Sequence, residues 1–235
     1  LSIAWKFEPC EHTGGDIFNM YPLDDDHWAL YMLDVSGHGV QAAMVTVSVA
    51  QFLQPNSGHL LKPNINRSSG APHIKTPAEV LTALDAEFPF ERFNNFFTIT
   101  YMVINTKTGD LSYSNAGHPH SIIIRKDGNL ELLQKGGPAI GMGDFHLLSG
   151  QTQRFEEGLL QLKAGDKLFV YTDGIIEYQH PDGKFYGTER FCETLLALQD
   201  ESISAMIKQS IDALLKFGDG TKPQDDITLL GLELL

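Results

Sequence analysis

Apolar residues at every second position predict a strand at the start of the chain. Ile3, Trp5 and Phe7 follow this spacing, which is typical of a strand with one packed face. A second apolar run, WALYMLD at residues 28–34, ends in a carboxylate and also predicts a strand. The segment VQAAMVTVSVAQFL after Gly39 is rich in alanine and contains neither Pro nor Gly, so it predicts a helix.

Residues 54–76 differ from the rest in composition. They contain three prolines, several Ser and Asn, and three basic but no acidic residues. This composition predicts a long exposed loop. A loop without a specific role is favoured over one that docks an acidic partner or covers a site.

Beyond this loop, the pattern predicts one further helix, then mostly strands, then two helices and a last strand. Thr76 to Glu79 has the residues of a capping box with Pro at the first helical position, and the helix should run to about Phe88. The next segments predict an antiparallel meander: FFTITYMVIN, LSYSNAG and SIIIRKDGNLELL. The last elements should be a strand at 167–171, helices at 188–198 and 201–216, and a strand at 227–232. Strands outnumber helices and come in blocks, which favours an α+β fold.

Composition and charge narrow the class of protein. The 235 residues are 42% hydrophobic and 20% charged, which is typical of one folded domain. Thirty acidic against 17 basic residues give a net charge of -13, the wrong sign for binding nucleic acid or an anionic membrane. Cys10 and Cys192 suit neither a disulfide framework nor a metal-ligand pair, so we expect a reducing cytoplasm. Because the chain begins at Leu1 rather than Met, we expect it to be the C-terminal part of a longer protein.

Four short segments place aspartate beside glycine or at a strand end. Each could be an ordinary turn, but all four lie near apolar runs, where a turn needs no extra carboxylate. If the carboxylates converge, their repulsion requires a cation, and oxygen ligands select Mg²⁺ or Mn²⁺. Two such ions about 4 Å apart can activate a shared water for phosphate ester hydrolysis. The segments are Gly14-Gly15-Asp16, Asp34-Val35-Ser36-Gly37-His38-Gly39, Asp173-Gly174 and Asp225-Asp226.

Five motifs, in order, carry a resemblance to a known family. They are GGD (14–16), DVSGHGVQAAM (34–44), FTITYMVINTKTGDLSYSNAGHP (97–119), LFVYTDGIIE (168–177) and DDITLL (225–230). Together they resemble the bacterial branch of the PPM (PP2C-type) protein phosphatases, of the RsbU and SpoIIE type. The resemblance implies a metal-dependent phosphoserine/phosphothreonine phosphatase on a four-layer αββα sandwich of two antiparallel sheets flanked by helices. It also implies a phosphorylated STAS-domain anti-sigma factor antagonist as substrate and an upstream sensor or receiver domain, and it leaves a homodimer open.

The resemblance also assigns roles to residues. It makes Asp34 the carboxylate that bridges two Mn²⁺ or Mg²⁺ ions, with the carbonyl of Val35 on one of them. Asp16 would bind the second ion, and Asp173 and Asp225 the first. Asp226 is the weaker alternative to Asp225, since adjacent side chains of an extended backbone point to opposite faces. A bridging hydroxide would attack the phosphoryl group without a phosphoenzyme, and no arginine aligns readily for phosphate contact.

Several residues keep a second interpretation. His38 could be a general acid for the leaving group, but packing at the helix start or a contact behind the ligands is favoured. The segment His118-Pro119-His120 is favoured as a structural turn over a metal pair. Four glycines could serve either turn geometry or the close approach of a ligand, and neither role is favoured. They are Gly14, Gly15, Gly37 and Gly39.

Two other functions compete with the phosphatase. One is a pseudophosphatase that binds the partner without turnover, although all the aspartate positions are filled. The other is a phosphoesterase for small molecules, which would need a deep organic pocket.

Overall fold

A five-stranded sheet and a six-stranded sheet hold most of the strands of this chain. The computed structural model describes residues 1–10, 14–37, 39–57, 60–62, 73–142 and 155–235. The strands are β1 (Ser2–Glu8), β2 (Ile17–Pro22), β3 (His27–Val35), β4 (Leu61–Lys62), β5 (His73–Ile74), β6 (Phe97–Asn105), β7 (Asp110–Ala116), β8 (Ile122–Ile124), β9 (Leu130–Leu132), β10 (Gly136–Gly137), β11 (Gly158–Gln161), β12 (Lys167–Tyr171) and β13 (Ile227–Glu233). The helices are α1 (Val40–Phe52), α2 (Pro77–Glu87), α3 (Phe90–Phe93), α4 (Asp173–Ile176), α5 (Thr188–Ala197) and α6 (Ile203–Phe217).

The chain forms two units that alternate along the sequence. The first contains residues 1–16, 119–134 and 162–235, and the second contains residues 17–118 and 135–161. Neither unit is continuous in sequence, so each core depends on segments that are far apart in the chain.

The first unit contains the five-stranded sheet, in the order β1-β13-β12-β8-β9, with every neighbouring pair antiparallel. Helices α5 and α6 contribute to the core of this unit. The buried residues of α6 include Ile203, Ile207, Ile211 and Leu214, the spacing of a helix with one apolar face. They pack with strand residues such as Phe169 in one hydrophobic cluster.

The second unit contains the six-stranded sheet, in the order β10-β7-β6-β3-β2, with β11 also paired to β7. Helices α1 and α2 supply its hydrophobic cluster together with one face of β3 and β6. Leu30 and Met32 on the other face of β3 are also buried, as are Tyr31 and Leu33. Burial on both faces explains why β3 is a continuous apolar run rather than an alternating one.

Most of the predicted elements are confirmed. Helix α2 begins with the expected capping box, since Thr76 Oγ1 accepts the N–H of Glu79 at 3.4 Å and Glu79 Oε2 accepts that of Thr76 at 3.0 Å. The two late helices and the last strand lie within one or two residues of their predicted bounds. No helix in the described part of the chain is long and apolar enough to span a bilayer.

The prediction of a single antiparallel meander is wrong. Strands β6 and β7 pair in the six-stranded sheet, whereas β8 and β9 belong to the five-stranded sheet. Between β7 and β8, Gly117 has a φ of +68°, and Pro119 has no N–H to donate to a neighbouring strand. The chain therefore leaves the six-stranded sheet there. The six-stranded sheet is also not purely antiparallel, because β10 runs parallel to β7.

The prediction of an exposed loop over residues 54–76 is wrong at both ends. Leu60 is fully buried in the cluster of the second unit. β4 pairs with β5, and Lys75 donates its backbone N–H to the Leu60 carbonyl at 2.9 Å. The polar composition of the segment did not indicate this short pair of strands. Residues 58–59 and 63–72 lie outside the described residues.

Candidate metal centre

Antiparallel pairing in the first unit gathers three of the predicted aspartates. Tyr171, the last residue of β12, pairs with Leu229 near the start of β13. Asp173 follows β12 as the first residue of α4, and Asp225 precedes β13. The end of one strand therefore lies beside the start of the next, and the Asp173 and Asp225 charges interact. Asp16 joins them through the hydrogen bonds described next.

Two threonine hydroxyls hold the Asp16 carboxylate. Oδ2 of Asp16 accepts a hydrogen bond from Thr172 Oγ1 at 2.7 Å and another from Thr228 Oγ1 at 2.5 Å. Both threonines are fully buried. Since a buried hydroxyl is costly unless it is bonded, this arrangement fixes both the donors and the acceptor.

Asp226 supports the loop that carries Asp16. Its side chain is almost completely buried, with Oδ1 accepting the N–H of Cys10 at 3.0 Å and Oδ2 accepting that of Asp16 at 3.4 Å. Asp225, in contrast, is exposed, and its Oδ1 accepts the N–H of Asp226 at 2.8 Å. The two adjacent aspartates thus differ in what they touch.

The electrostatics of the cluster favour a bound cation. Burial, together with the smaller contributions of the negative charges of Asp225 and Glu177, raises the pKa of Asp173 to about 6. Ionising this carboxyl is therefore costly until a positive charge compensates it. The carboxylate oxygens are hard donors suited to Mg²⁺ or Mn²⁺, so the residues fit the ions that the resemblance implies.

Sequence reasoning missed several members of this site. Among the described residues, one ligand atom from each of Cys10, Asp225 and Asp226 lies within 4.8 Å of the other two. The sequence indicated no metal-ligand role for Cys10, and it did not single out Thr172 and Thr228. The available signal was their position: one threonine directly precedes Asp173, and the other is two residues after Asp226.

Asp34 and Val35 belong to the second unit, at the end of β3. Asp34 is half-buried, and Val35 is almost fully buried. The backbone after them is fixed, because Ser36 donates its N–H to the Phe96 carbonyl at 3.0 Å and accepts from Asn95 Nδ2 at 2.8 Å on its own carbonyl. His38 lies outside the described residues.

The glycines divide into two kinds. Gly37 and Gly39 have φ values of +86° and +85°, which other residues rarely adopt. Gly14 instead lies against a side chain, since a Cβ there would stand 1.7 Å from Asp226 Oδ2. Turn geometry thus accounts for the first pair, and close packing accounts for Gly14.

The structural interpretation of His118 is supported. Its side chain is nearly fully buried, and Nδ1 lies 2.8 Å from Thr98 Oγ1. Its backbone N–H donates to Asn115 Oδ1, and its carbonyl accepts from Asn115 Nδ2, both at 2.8 Å. These bonds close the turn that follows β7, while His120 is exposed.

Two curated proteins are similar to this chain in sequence. Protein IcfG of Synechocystis sp. is 29% identical over 242 residues, which covers 96% of this chain and 37% of IcfG. The phosphoserine phosphatase RsbP of Bacillus subtilis is 28% identical over 179 residues, covering 75% of this chain and 40% of RsbP. The chain therefore spans less than half of the length of either relative.

Solved structures confirm the α+β, PP2C-like fold. The RsbU and RsbW domains of Rv1364c from Mycobacterium tuberculosis match with a TM-score of 0.75 and 24% identity, over 99% of this chain and 59% of that one. The catalytic domain of the serine/threonine phosphatase PstP, solved with two manganese ions, matches with a TM-score of 0.55 and 16% identity, over 99% of this chain and 97% of that one. PP2C-fold neighbours thus bind Mn²⁺. RsbX, solved with magnesium, matches with a TM-score of 0.61 and 16% identity, over 99% of this chain and 94% of RsbX.

A family model also matches most of the chain. The family described as "Stage II sporulation protein E (SpoIIE)" matches residues 24–235. That span includes the Asp34, Asp173 and Asp225 segments and every strand except β1 and β2. The chain therefore belongs to the SpoIIE family of PP2C-type phosphatase domains.

Proposed function

We propose that this chain is a metal-dependent protein serine/threonine phosphatase that acts on a phosphorylated STAS-domain anti-sigma factor antagonist or a similar regulatory partner. The observation that carries the proposal is the cluster of Asp16, Asp173 and Asp225 in the first unit, where burial and neighbouring charge raise the pKa of Asp173 to about 6. Such a cluster needs cations, and the family of the chain supplies the reaction class. RsbP, the relative named as a phosphoserine phosphatase, supports phosphoserine as the group that is hydrolysed.

In this proposal two Mn²⁺ or Mg²⁺ ions bind to the chain. Asp173 and Asp225 hold one ion, and Asp16 holds the other. On the resemblance alone, we assign Asp34 to both ions and the carbonyl of Val35 to one of them. When bound, such ions lower the pKa of water and neutralise charge on the phosphoryl oxygens.

The residues of the chain orient the ligands. Thr172 and Thr228 hold Asp16 from one side, and Asp226 holds its backbone from the other. No Ser or Cys nucleophile is required, so the reaction passes through no phosphoenzyme. His38 stays a proposed general acid or a contact behind the ligands.

The surrounding protein is also part of the proposal. We place this domain at the C-terminal end of a longer cytoplasmic regulatory protein with a sensor or receiver domain before it. The relatives support the greater length alone, since the chain spans 37% of IcfG and 40% of RsbP. A homodimer is compatible with the proposal.

The test compares phosphate release from a phosphorylated STAS protein with release from a generic aryl phosphate, with and without Mn²⁺. A protein phosphatase releases phosphate from the STAS protein faster and only with the metal, and Asp34→Asn or Asp173→Asn abolishes this release. Metal-dependent activity on the aryl phosphate alone would favour a small-molecule phosphoesterase. Binding of the phosphoprotein without release would identify a pseudophosphatase.

A further inference from the structure

Two buried threonines act on a single oxygen of Asp16. Thr172 and Thr228 reach Oδ2 from different elements, at 2.7 and 2.5 Å. We infer that Thr172 and Thr228 are positioning residues, which hold the Asp16 carboxylate in the orientation that receives a divalent cation. This inference rests on the proposed function, because it assumes that Asp16 is a ligand.

The hydrogen bonds around Thr172 indicate that its hydroxyl proton is donated to Asp16. Thr172 Oγ1 accepts the backbone N–H of Thr228 at 3.1 Å. A hydroxyl has one proton to donate, and Asp16 Oδ2 at 2.7 Å is a better acceptor than the Asp226 carbonyl at 3.4 Å. The bond to the carboxylate is therefore a short, charge-assisted one, which is stronger than a bond between neutral groups.

The location of Thr172 points to a dedicated role. It occupies the N-cap position of α4, where a threonine hydroxyl usually accepts a backbone N–H from the first turn. No such side-chain cap is formed here. The hydroxyl bonds to a residue 156 positions away instead, so its local role is replaced by the contact with Asp16.

Thr228 interrupts an apolar strand for the same contact. Its neighbours Ile227 and Leu229 belong to the hydrophobic cluster of the first unit, and Thr228 itself is fully buried. A valine would fill this space without placing a hydroxyl in the interior. Both residues are also β-branched, which restricts χ1 and keeps the hydroxyl aimed in one direction.

A purely structural role is the alternative explanation. In that case the two bonds would only fasten the segment that carries Asp16 to the sheet. Removing them would lower stability but would leave cation affinity unchanged once the protein is folded. Groups that hydrogen-bond to metal ligands, in contrast, typically change metal affinity by about 10–100-fold.

The experiment uses the 235-residue chain and measures Mn²⁺ binding by titration calorimetry, with the thermal midpoint in EDTA recorded for every variant. Thr172→Val and Thr228→Val keep the β-branched shape and remove the hydroxyl. We expect each to weaken Mn²⁺ binding by about 10–100-fold, and Thr172→Ser and Thr228→Ser to restore it to within a few-fold of wild type. Thr100→Val, at a buried strand residue of the second unit, is the matched control and should bind Mn²⁺ normally.

A double-mutant cycle tests whether the threonines act through Asp16. In an Asp16→Asn background, adding Thr172→Val should weaken Mn²⁺ binding no further, because the carboxylate it orients is gone. Lower thermal midpoints with wild-type Mn²⁺ affinity in both valine variants would overturn the inference, and so would wild-type protein that binds no Mn²⁺. If a valine variant does not fold, the serine variants are compared with Asp16→Asn instead. Serine variants that lose Mn²⁺ affinity as fully as Asp16→Asn would contradict the inference. Normal Mn²⁺ binding by the wild type without phosphate release would reject the proposed function and leave this inference standing.

Discussion

Gly14 packs directly against Asp226: a Cβ on Gly14 would lie 1.7 Å from Asp226 Oδ2 and 2.5 Å from its carboxyl carbon. Gly14→Ala therefore forces the loop or the carboxylate to move. We expect it to lower the free energy of unfolding by about 1–3 kcal/mol, the usual cost of overpacking, and to weaken Mn²⁺ binding. Urea unfolding and metal titration measure the two effects.

The control for this prediction is Gly183→Ala. Gly183 has a φ of +85°, and nothing lies within 4 Å of a Cβ placed there. Its substitution should cost about 1 kcal/mol through backbone strain alone and leave Mn²⁺ binding unchanged. Equal effects of the two substitutions on Mn²⁺ binding would argue against the contact.

The adjacent aspartates 225 and 226 should respond differently to the same substitution. Asp225 is exposed, so Asp225→Asn should leave stability nearly unchanged and weaken Mn²⁺ binding strongly. Asp226 is buried and accepts two backbone N–H groups, so Asp226→Asn should cost about 1–3 kcal/mol in the metal-free protein. Chemical unfolding in EDTA and Mn²⁺ titration of both variants check this. The opposite pattern would make Asp226 the Mn²⁺ ligand and Asp225 the residue that supports the fold.

Asp173 should make the metal-free protein less stable as pH rises. Its pKa is raised from 3.8 to about 6 by burial and by the charges of Asp225 and Glu177, so the folded state holds its proton over a range where the unfolded state has lost it. Stability should therefore fall between about pH 4 and pH 6 and stay lower above it. Asp173→Asn should remove this fall and make the metal-free protein at pH 7.5 about 1–3 kcal/mol more stable than wild type.

Thermal unfolding in EDTA across this pH range measures the effect. Glu177→Gln removes the smaller contribution and should recover only part of the stability. Saturating Mn²⁺ should stabilise the wild type, by about 2.7 kcal/mol at a hundred times the dissociation constant, but not Asp173→Asn. A metal-free Asp173→Asn protein that is less stable than wild type at pH 7.5 would contradict the prediction.

The ion pair of Arg125 with Asp166 should contribute to stability without affecting the metal. Burial raises the pKa of Asp166, but hydrogen bonds from the Lys163 and Lys126 N–H groups and from Arg125 outweigh it and hold the pKa below 3.8. The stabilisation is therefore present above about pH 4 and is lost as pH falls through the lower folded value. Asp166→Ala should cost about 1–3 kcal/mol at pH 7, because Arg125 keeps its ion pair with Glu131, and the cost should shrink as pH falls below about 4.

Lys135→Ala is the matched control for this pair. Lys135 and Glu156 form an ion pair at 2.7 Å, but both side chains are more than half exposed. Exposed pairs contribute about 0–1 kcal/mol. Urea unfolding at pH 7 and at pH 2–3 should separate the two variants, while Mn²⁺ affinity stays unchanged in each.

Local patterns predicted the elements, and the motifs predicted the aspartates. The capping box at Thr76 and the apolar spacing of α6 depend on neighbours within a few residues, so the sequence shows them directly. The sheet that receives β8 and β9 depends on a partner strand more than 40 residues later, and a hairpin pattern does not encode that choice. The roles of Thr172 and Thr228 were hidden for the same reason, because their acceptor is far away in the chain.

The span of the bonds at Asp16 also sets when this centre can assemble. Its hydroxyl donors lie 156 and 212 positions further along the chain. At ribosomal speeds of about 5–20 residues per second, the second donor emerges roughly 10–40 s after Asp16 has been made. Such high contact order slows folding, so a nascent chain lacking its last strand carries the acidic residues without the geometry to capture an ion. Cation binding is thereby confined to chains in which Thr228 has already been synthesised.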